Sequence, residues 1–189
     1  MKHLYIIAGC NGAGKTTASY TILPDKLDCR EFVNADEIAK GLSPFQPERA
    51  SIQAGRLMLS RIRFLLDSGS DFAFETTLAT KSYTNLIMEA KMRGYEVTLL
   101  FFWLSSPALA VERVKSRVRE GGHDIPEDVI RRRYVRGLEN FFYLFEPIVH
   151  NWMFINNSGK PYEIVAKSSD REIVANPDLW QNLKLKYHG

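Results

Sequence analysis

Eight residues near the amino terminus have the types and spacing of a phosphate-binding loop. Residues 9–16 read GCNGAGKT and match the template G-x-x-x-x-G-K-[ST]. Glycines let backbone N–H groups curl around a phosphate, Lys15 supplies a charge for the β- and γ-phosphates, and Thr16 offers a hydroxyl to Mg²⁺. The motif therefore predicts a bound nucleoside triphosphate, ATP or GTP, with Mg²⁺ at Thr16. The predicted nucleotide contacts are Gly9, Asn11, Gly12, Ala13, Gly14, Lys15, Thr16 and Thr17.

Two acidic residues stand where two predicted strands end. Asp36 closes the stretch EFVNAD (31–36), and Glu75 lies near the end of DFAFETT (71–77). In a parallel α/β sheet the carboxyl ends of the strands carry the ligands, so both side chains are expected beside the phosphate loop. There, Asp36 would accept the proton of an attacking hydroxyl, and Glu75 would assist Mg²⁺ or hold a substrate hydroxyl. The alternatives are a helix cap at Asp36 and a plain strand end at Glu75 with a helix cap at Thr77.

The longest apolar run predicts a central strand of the sheet. This run, YEVTLLFFWL (95–104), ends without a carboxylate. Motor ATPases and GTPases hold their metal with an aspartate at such a strand end. The missing aspartate argues against those classes, and the presence of Asp36 favours a kinase.

Arginines cluster on both sides of a glycine pair in the second half of the chain. At about 100° per residue, Arg132, Arg133 and Arg136 fall on one helix face, opposite the apolar stripe of that helix. A mobile lid over residues 117–136, hinged at the Gly-Gly-His segment 121–123, would neutralise charge on transferring phosphates and exclude water. The alternative is a solvated basic face, which is the usual environment of such arginines.

A polar loop follows the last long apolar run. Asn156, Asn157 and Ser158 stand in the stretch FINNSGKP (154–161). The position of this loop in the chain matches that of loops that surround the nucleotide base in phosphate-loop folds. A plain turn is the equally good alternative.

Apolar strand-like runs alternate with helical patterns along the chain, and these elements must position the residues above. The predicted strands are 3–9, 31–36, 71–77, 95–104, WMFINN and YEIVAKS. The predicted helices start near Lys15 and cover 36–42, 48–66, 81–92, 105–122, 126–149 and 176–187. This alternation predicts a P-loop NTPase-type three-layer α/β/α fold with a mostly parallel sheet.

Length and composition fit one domain over residues 1–189. The chain is 45% hydrophobic and has a net charge of +3, which is too small to indicate a nucleic-acid partner. No segment approaches the ~18–20 apolar residues that span a bilayer, and the apolar amino terminus runs directly into the glycine loop. Cys10 and Cys29 lack metal-ligand spacing and are interpreted as free thiols, which favours a cytoplasmic protein without a membrane partner.

These motifs, in this order, resemble those of the zeta-toxin family of P-loop kinases, in its short predicted-ATPase branch. The resemblance spans roughly residues 3–159 and is carried by GCNGAGKTT, FVNADEIAKGLSPF, AGRLML, FAFETTL, RVKSRVREGGHDIPEDVIRRRY and NNSG. It implies a kinase that transfers the γ-phosphate of ATP or GTP to a hydroxyl of a small molecule. In the toxins that acceptor is a UDP-activated amino sugar.

The resemblance also implies roles for residues at matching positions. Asp36 would be the catalytic base, and Glu75 and Thr77 would help to hold the acceptor. Lys15 would bind the triphosphate, and Thr16 would bind Mg²⁺. Lid arginines would clamp the transferring phosphate, and the matching positions are Arg119 and Arg132, with Arg117, Arg133 and Arg136 as further candidates.

One position departs from the toxin pattern. The toxins carry an arginine two residues after the threonine of the strand-three motif, and here that position is Ala79, with Lys81 the nearest cation. A nucleotide-activated sugar is therefore one candidate acceptor among other small hydroxyl compounds. Neither toxicity nor an antitoxin-type protein partner is evident from the residues. Two alternative functions are an ATP-binding switch or regulatory ATPase without an acceptor, and a polynucleotide kinase whose arginine-rich helix follows a backbone.

Overall fold

A computed structural model describes residues 1–122 and 124–187, and its centre is a seven-stranded sheet. The strands are β1 (Lys2–Gly9), β2 (Phe32–Val33), β3 (Phe72–Thr76), β4 (Tyr95–Trp103), β5 (Asn151–Asn156), β6 (Glu163–Ser168) and β7 (Glu172–Val174). Their order across the sheet is β2-β3-β1-β4-β5-β6-β7. The pairs from β2 to β5 are parallel, and β6 and β7 add antiparallel pairs. The long apolar run at 95–104 is thus the central strand, as predicted.

Helices connect the parallel strands and cover the sheet. They are α1 (Lys15–Lys26), α2 (Ala35–Leu42), α3 (Ser51–Ser68), α4 (Tyr83–Met92), α5 (Pro107–Arg119), α6 (Glu127–Asn140) and α7 (Pro177–Tyr187). Consecutive residues of β1 from Leu4 to Ala8 are all buried. Because neighbouring side chains of a strand point to opposite sides of the sheet, both faces are covered. This is the three-layer α/β/α fold that the sequence predicts.

The parallel strands place three chain segments at one edge of the sheet. β1 lies between β3 and β4, with Ala8 paired to Thr76 and to Phe101. β2 lies outside β3, with Val33 paired to Phe74. The loop after β1, the helix after β2 and the last residues of β3 therefore meet at the carboxyl edge, where α/β proteins bind their ligands.

The helix α6 is fastened to this edge at both ends of its buried face. The Tyr134 hydroxyl donates to the carbonyl oxygen of Leu104 at 2.7 Å and accepts from the indole N–H of Trp103 at 3.1 Å. One turn and a half later, the amide of Asn140 donates to the Leu78 carbonyl oxygen at 2.7 Å. Side chains on α6 are therefore held in fixed positions relative to the ends of β3 and β4.

A glycine on α6 allows the helix to lie against the backbone after β3. A Cβ atom at Gly137 would lie 2.7 Å from the carbonyl oxygen of Thr77. That separation is too short for a carbon–oxygen contact, so any larger residue would displace the helix. The sequence alone assigned no role to Gly137.

The end of α6 differs from the sequence prediction of one helix over 126–149. The α-helix ends at Asn140, and a π-helical turn spans Phe141–Phe145. Phe141 and Phe142 are both fully buried although they are consecutive, and the Glu146 N–H donates to the Phe141 carbonyl oxygen at 2.8 Å. The wider turn lets this aromatic run pack into the core, which the period of an ordinary α-helix would not.

The helices of the described residues include none that is long and apolar enough to cross a membrane. Both cysteines, Cys10 and Cys29, are buried and unpaired with each other. Burial raises the pKa of each thiol to about 11, so both stay protonated at neutral pH. Cys10 therefore adds no negative charge to the phosphate loop.

Candidate active site

The loop between β1 and α1 has the shape of an anion-binding site. Gly12 and Gly14 have φ values of 80° and 79°, a region that glycine adopts without strain. A Cβ atom at Gly14 would lie 2.6 Å from the side-chain nitrogen of Asn157. α1 begins at Lys15 with no side-chain cap and no acidic residue in its first turn. Its N–H groups and the positive end of its dipole therefore remain available to a phosphate.

A buried polar network joins this loop to the end of β3. The Lys15 ammonium donates to the carbonyl oxygen of Cys10 at 3.0 Å and lies 3.5 Å from Oε1 of Glu75. The Thr16 hydroxyl donates to Oε2 of Glu75 at 2.7 Å. Glu75 thus lies beside the phosphate loop, as its position near the end of a parallel strand predicts.

Asn34 extends the network to α2. Its side-chain nitrogen donates to Oε2 of Glu75 at 2.9 Å and to the Thr16 hydroxyl at 3.4 Å. Its side-chain oxygen accepts from the backbone N–H groups of Asp36 at 2.8 Å and Glu37 at 3.4 Å. Asn34 is therefore the N-cap of α2. The alternative role of Asp36 as the helix cap does not hold, since Asn34 caps α2.

Asp36 and the phosphate loop line one cavity of about 560 Å³. The side chain of Asp36 is exposed, and within residues 1–122 and 124–187 its carboxylate takes part in no hydrogen bond or ion pair. An available carboxylate and the amino-terminal end of α1 therefore border the same cavity. Of the predicted nucleotide contacts, the cavity is lined by Asn11, Gly12, Gly14, Lys15, Thr16 and Thr17. Gly9 and Ala13 are buried behind them.

Two arginines of α5 line this cavity, and one arginine of α6 contacts a residue of its lining. Arg113 and Arg117 line it from α5, one helical turn apart. Arg133 of α6 lies behind the lining, and its Nη1 donates to the side-chain oxygen of Asn11, a lining residue, at 3.2 Å. Burial lowers the pKa of Arg133, and the nearby charge of Asp36 opposes that shift. A guanidinium at this place is partly desolvated, which strengthens its attraction for phosphate oxygens.

The structure does not bring Arg119 and Arg132 to the same place. Arg119 is exposed and lines a second cavity of about 800 Å³ between α5 and α6. Arg132 is exposed, with its Nη1 atom 3.7 Å from the carboxylate of Asp128. The motif resemblance pointed to these two, but the packing of α5 and α6 turns Arg117 and Arg133 inward instead. Arg132 is exposed whereas Arg133 is half-buried, so the two arginines do not share the single solvent-facing basic surface that the helical wheel predicts.

The remaining predicted residues lie at or outside the border of the cavity. Thr77 is half-buried, presents its carbonyl oxygen to Gly137, and is not among the residues that line the cavity. Arg136 is exposed on α6. Gly121 and Gly122 do line the cavity. The third residue of the predicted hinge, His123, lies outside the described residues.

The polar loop after β5 packs against the phosphate loop. The Asn157 amide donates to the carbonyl oxygen of Ala13 at 2.8 Å. The Ser158 hydroxyl accepts from the backbone N–H of Ser105 at 2.8 Å. The backbone carbonyl oxygen of Ser158 accepts from the Arg113 guanidinium at 2.9 Å. These contacts attach the loop to the phosphate loop, and its place beside a nucleotide base stays a prediction.

Two residues of the site, Asn34 and Arg113, were missed in the sequence. Asn34 stands two residues before Asp36, which is the recognisable position of a helix cap, but its contacts with Glu75 carry no sequence signal. Arg113 had a signal: it is four residues before Arg117, with Val114 buried between them on α5. Residues four apart share a helix face, so an orientation of Arg117 towards the cavity implies the same orientation for Arg113.

The oxygen atoms at this edge of the sheet are suitable ligands for Mg²⁺. The Thr16 hydroxyl and the Glu75 carboxylate lie 2.7 Å apart, and both are the hard oxygen ligands that this cation prefers. Among the described residues, no group of three or more His, Cys, Asp or Glu side chains could hold a metal ion. A cation here would accordingly complete its shell with phosphate oxygens and water, as is usual at nucleotide sites.

Solved structures of two protein complexes share this fold. The AvrRxo1-ORF1:AvrRxo1-ORF2 complex with sulphate ions has a TM-score of 0.78 at 18% identity, over 97% of this chain and 63% of that one. The same complex has been solved with ATP, at a TM-score of 0.75. The PezAT toxin–antitoxin system of Streptococcus pneumoniae has a TM-score of 0.68 at 18% identity, over 97% of this chain and 78% of that one. This chain spans less than two thirds of the length of the AvrRxo1 chain.

Similarity in sequence identifies the family of this chain more specifically than similarity in fold. An uncharacterized protein of Haemophilus influenzae is 32% identical over 126 residues, which make up 67% of this chain and 88% of that protein. The sequence model described as Zeta toxin matches residues 1–165. That match contains the phosphate loop, Asp36, Glu75 and all the arginines discussed above, and so the chain belongs to the zeta-toxin family.

Proposed function

We propose that this protein is an ATP-dependent kinase that transfers the γ-phosphate to a hydroxyl of a small molecule. The observation that carries the proposal is that Asp36, Lys15 and Thr16 line one cavity. Membership of the zeta-toxin family and the ATP complex of a structure with the same fold support ATP as the donor. A nucleotide-activated sugar is one candidate acceptor, and Ala79 is the reason to test others.

In the proposed reaction the chain binds, orients and shields the reacting groups. Backbone amides of the phosphate loop and the Lys15 ammonium bind the β- and γ-phosphates. Asp36 accepts the proton of the acceptor hydroxyl, whose oxygen bonds to the γ-phosphorus while the bond to the β,γ-bridging oxygen breaks and ADP leaves. Mg²⁺, held with Thr16 and Glu75, would neutralise phosphate charge.

The arginines of the site divide between α5 and α6. Arg133 is fixed on α6, beside Asn11 and Asp36, and we assign to it the stabilisation of charge on the transferring phosphoryl group. Arg113 lies in the middle of α5 and Arg117 in its last turn, and both line the cavity together with Gly121. Movement at the glycines would bring this part over the phosphates and exclude water, while α6 stays attached to the sheet edge.

Glu75 links nucleotide binding to acceptor binding in this scheme. Its Oε1 atom faces Lys15, and its Oε2 atom accepts from Thr16 and Asn34. A bound triphosphate would draw the Lys15 ammonium towards phosphate oxygens, which would leave Oε1 available to an acceptor hydroxyl. This supports an order in which the nucleotide binds before the acceptor.

The proposal is tested by ADP release with ATP and Mg²⁺, alone and with panels of sugars, nucleosides, UDP-sugars and RNA ends. We expect at least one small hydroxyl compound to raise ADP release at least about tenfold and to gain one phosphoryl group by mass spectrometry. Equal ADP release with and without every compound would instead identify the alternative, an ATPase or switch. Transfer to RNA with steeply salt-dependent binding would favour the polynucleotide kinase.

Replacing Arg133 with methionine is expected to lower kcat of transfer about 100-fold or more, because one charged donor to the transition state is lost. The measurement is steady-state transfer with the acceptor found above, together with nucleotide affinity, which should change less than kcat. Arg131→Met is the matched control on the same helix, since Arg131 is exposed and bonded to Glu127. A larger loss in Arg132→Met than in Arg133→Met would contradict the assignment and favour the residue that motif matching chose.

A further inference from the structure

Asn34 is a buried polar residue that contacts four parts of the site at once. Only 6% of its surface is exposed. Its amide group donates to Glu75 and to Thr16, and its oxygen accepts from the first-turn N–H groups of Asp36 and Glu37. Asn34 thus connects the candidate metal ligands on α1 and β3 with the helix that carries the proposed catalytic base.

Helix capping alone does not explain why residue 34 is an asparagine. Asparagine, aspartate and serine cap helices about equally well, because each offers a side-chain oxygen to the first-turn amides. Asparagine alone among these three also carries a two-hydrogen amide donor on the same planar group. Aspartate would place a second carboxylate 2.9 Å from Glu75, and serine would be too short to reach it.

The charges around Asn34 make that donor necessary. Lys15 on α1 faces only one oxygen of Glu75, at 3.5 Å. The other oxygen depends on Thr16 and Asn34, and Asp36 and Glu37 on α2 add further negative charge at the same edge. Once Thr16 is drawn to a cation, the Asn34 amide is the protein donor that remains on this oxygen. Loss of its donors is costly for a largely buried carboxylate such as Glu75, so the side chain would move.

We propose that Asn34 is a positioning residue that holds Thr16 and Glu75 in the geometry required by the cation–nucleotide complex and fixes Asp36 opposite them. The inference rests on the proposed function for its consequence in catalysis. Its geometric part concerns Mg²⁺-dependent nucleotide binding and stands whether or not an acceptor is phosphorylated. Asn34 touches neither the phosphates nor the acceptor in this proposal and acts through Thr16, Glu75 and the first turn of α2.

The test separates the cap from the amide donor. Asn34→Ser keeps an oxygen for the α2 cap and loses the reach to Glu75, whereas Asn34→Ala loses both. Thermal unfolding reports the cap, and the ratio of the Kd values of a non-hydrolysable ATP analogue without and with Mg²⁺ reports the geometry of Thr16 and Glu75. Asn85→Ser is the matched control, because Asn85 is exposed on α4 and does not line the cavity.

We expect Asn34→Ser to unfold within a few degrees of the wild type and above Asn34→Ala. Its Mg²⁺-dependent gain in analogue affinity should be reduced at least about tenfold, which corresponds to roughly 1.4 kcal/mol. Wild-type Mg²⁺ dependence in Asn34→Ser would show that Asn34 is only a cap and would overturn the proposal. A wild type whose analogue affinity does not depend on Mg²⁺ would overturn it as well.

A second measurement tests the direct contact with Glu75 through an exchange of the two groups. Asn34→Asp alone should lower the unfolding temperature, because two carboxylates then meet in a buried site. Combining it with Glu75→Gln restores one amide donor and one carboxylate acceptor in the opposite order. We expect the double variant to unfold at a higher temperature than Asn34→Asp, and strictly additive losses would contradict the contact. If no acceptor is ever found for the wild type, the proposed function fails while both binding and unfolding results still decide the role of Asn34.

Discussion

Asp36→Asn is expected to lower phosphoryl transfer by about 100-fold or more while it leaves nucleotide affinity within about twofold of the wild type. Asparagine keeps the size of the side chain and cannot accept the proton of the acceptor hydroxyl. The nucleotide is held by the phosphate loop, and the contact of Asp36 with Asn34 is made by its backbone N–H, which the substitution preserves. The measurements are acceptor-dependent ADP release and equilibrium binding of a non-hydrolysable ATP analogue.

The chain offers a closely matched control for this substitution. Asp178 is exposed and is the second residue of α7, just as Asp36 is the second residue of α2. Asn176 stands two residues before it and accepts from the Leu179 N–H at 3.2 Å, in the manner of Asn34. Asp178→Asn therefore makes the same change in charge at the same helix position, at a residue that does not line the cavity. Normal transfer by Asp36→Asn would show that another group takes the proton.

Lys15→Ala is expected to weaken binding of the ATP analogue about 10- to 100-fold and to lower transfer further, by about 100-fold or more. Lys15 is 5% exposed, and its ammonium lies between the Cys10 carbonyl oxygen and Glu75, where it faces the phosphate loop. Its removal takes away the point charge for the β- and γ-phosphates and one partner of the Glu75 carboxylate. Both losses act on the nucleotide, so affinity and rate should fall together.

Lys26→Ala on the same helix is the control for the loss of a lysine. Lys26 is exposed in the last turn of α1, on the end opposite the phosphate loop. Calorimetry or fluorescence binding, with and without Mg²⁺, measures the effect in both variants. An ATP-analogue affinity that is unchanged in Lys15→Ala would contradict contact between this lysine and the phosphates. The Asp36 and Lys15 variants are complementary, since only the second should change binding.

The local chemistry of this protein was readable from short stretches of sequence. The template at residues 9–16 requires glycines at fixed positions for steric reasons that act within a few residues, so it predicts its own loop. The uninterrupted apolar run at 95–104 predicts a strand buried on both faces, and β4 is the central strand of the sheet. The alternation of strands and helices then places Asp36 and Glu75 at the same edge as the loop, without any knowledge of side-chain contacts.

What tertiary structure decided is which side chains of the lid segment and of the strand ends face the cavity. Arg133 contacts Asn11 across 122 residues, Asn157 contacts Ala13 across 144, and Asn34 contacts Glu75 across 41. A helix of known sequence has its arginines at known angles to one another, but its rotation is set by what its apolar face packs against. Because Tyr134, Gly137 and Asn140 bind α6 to the ends of β3 and β4, Arg133 points inward and Arg132 does not, and no periodicity within the helix contains that information.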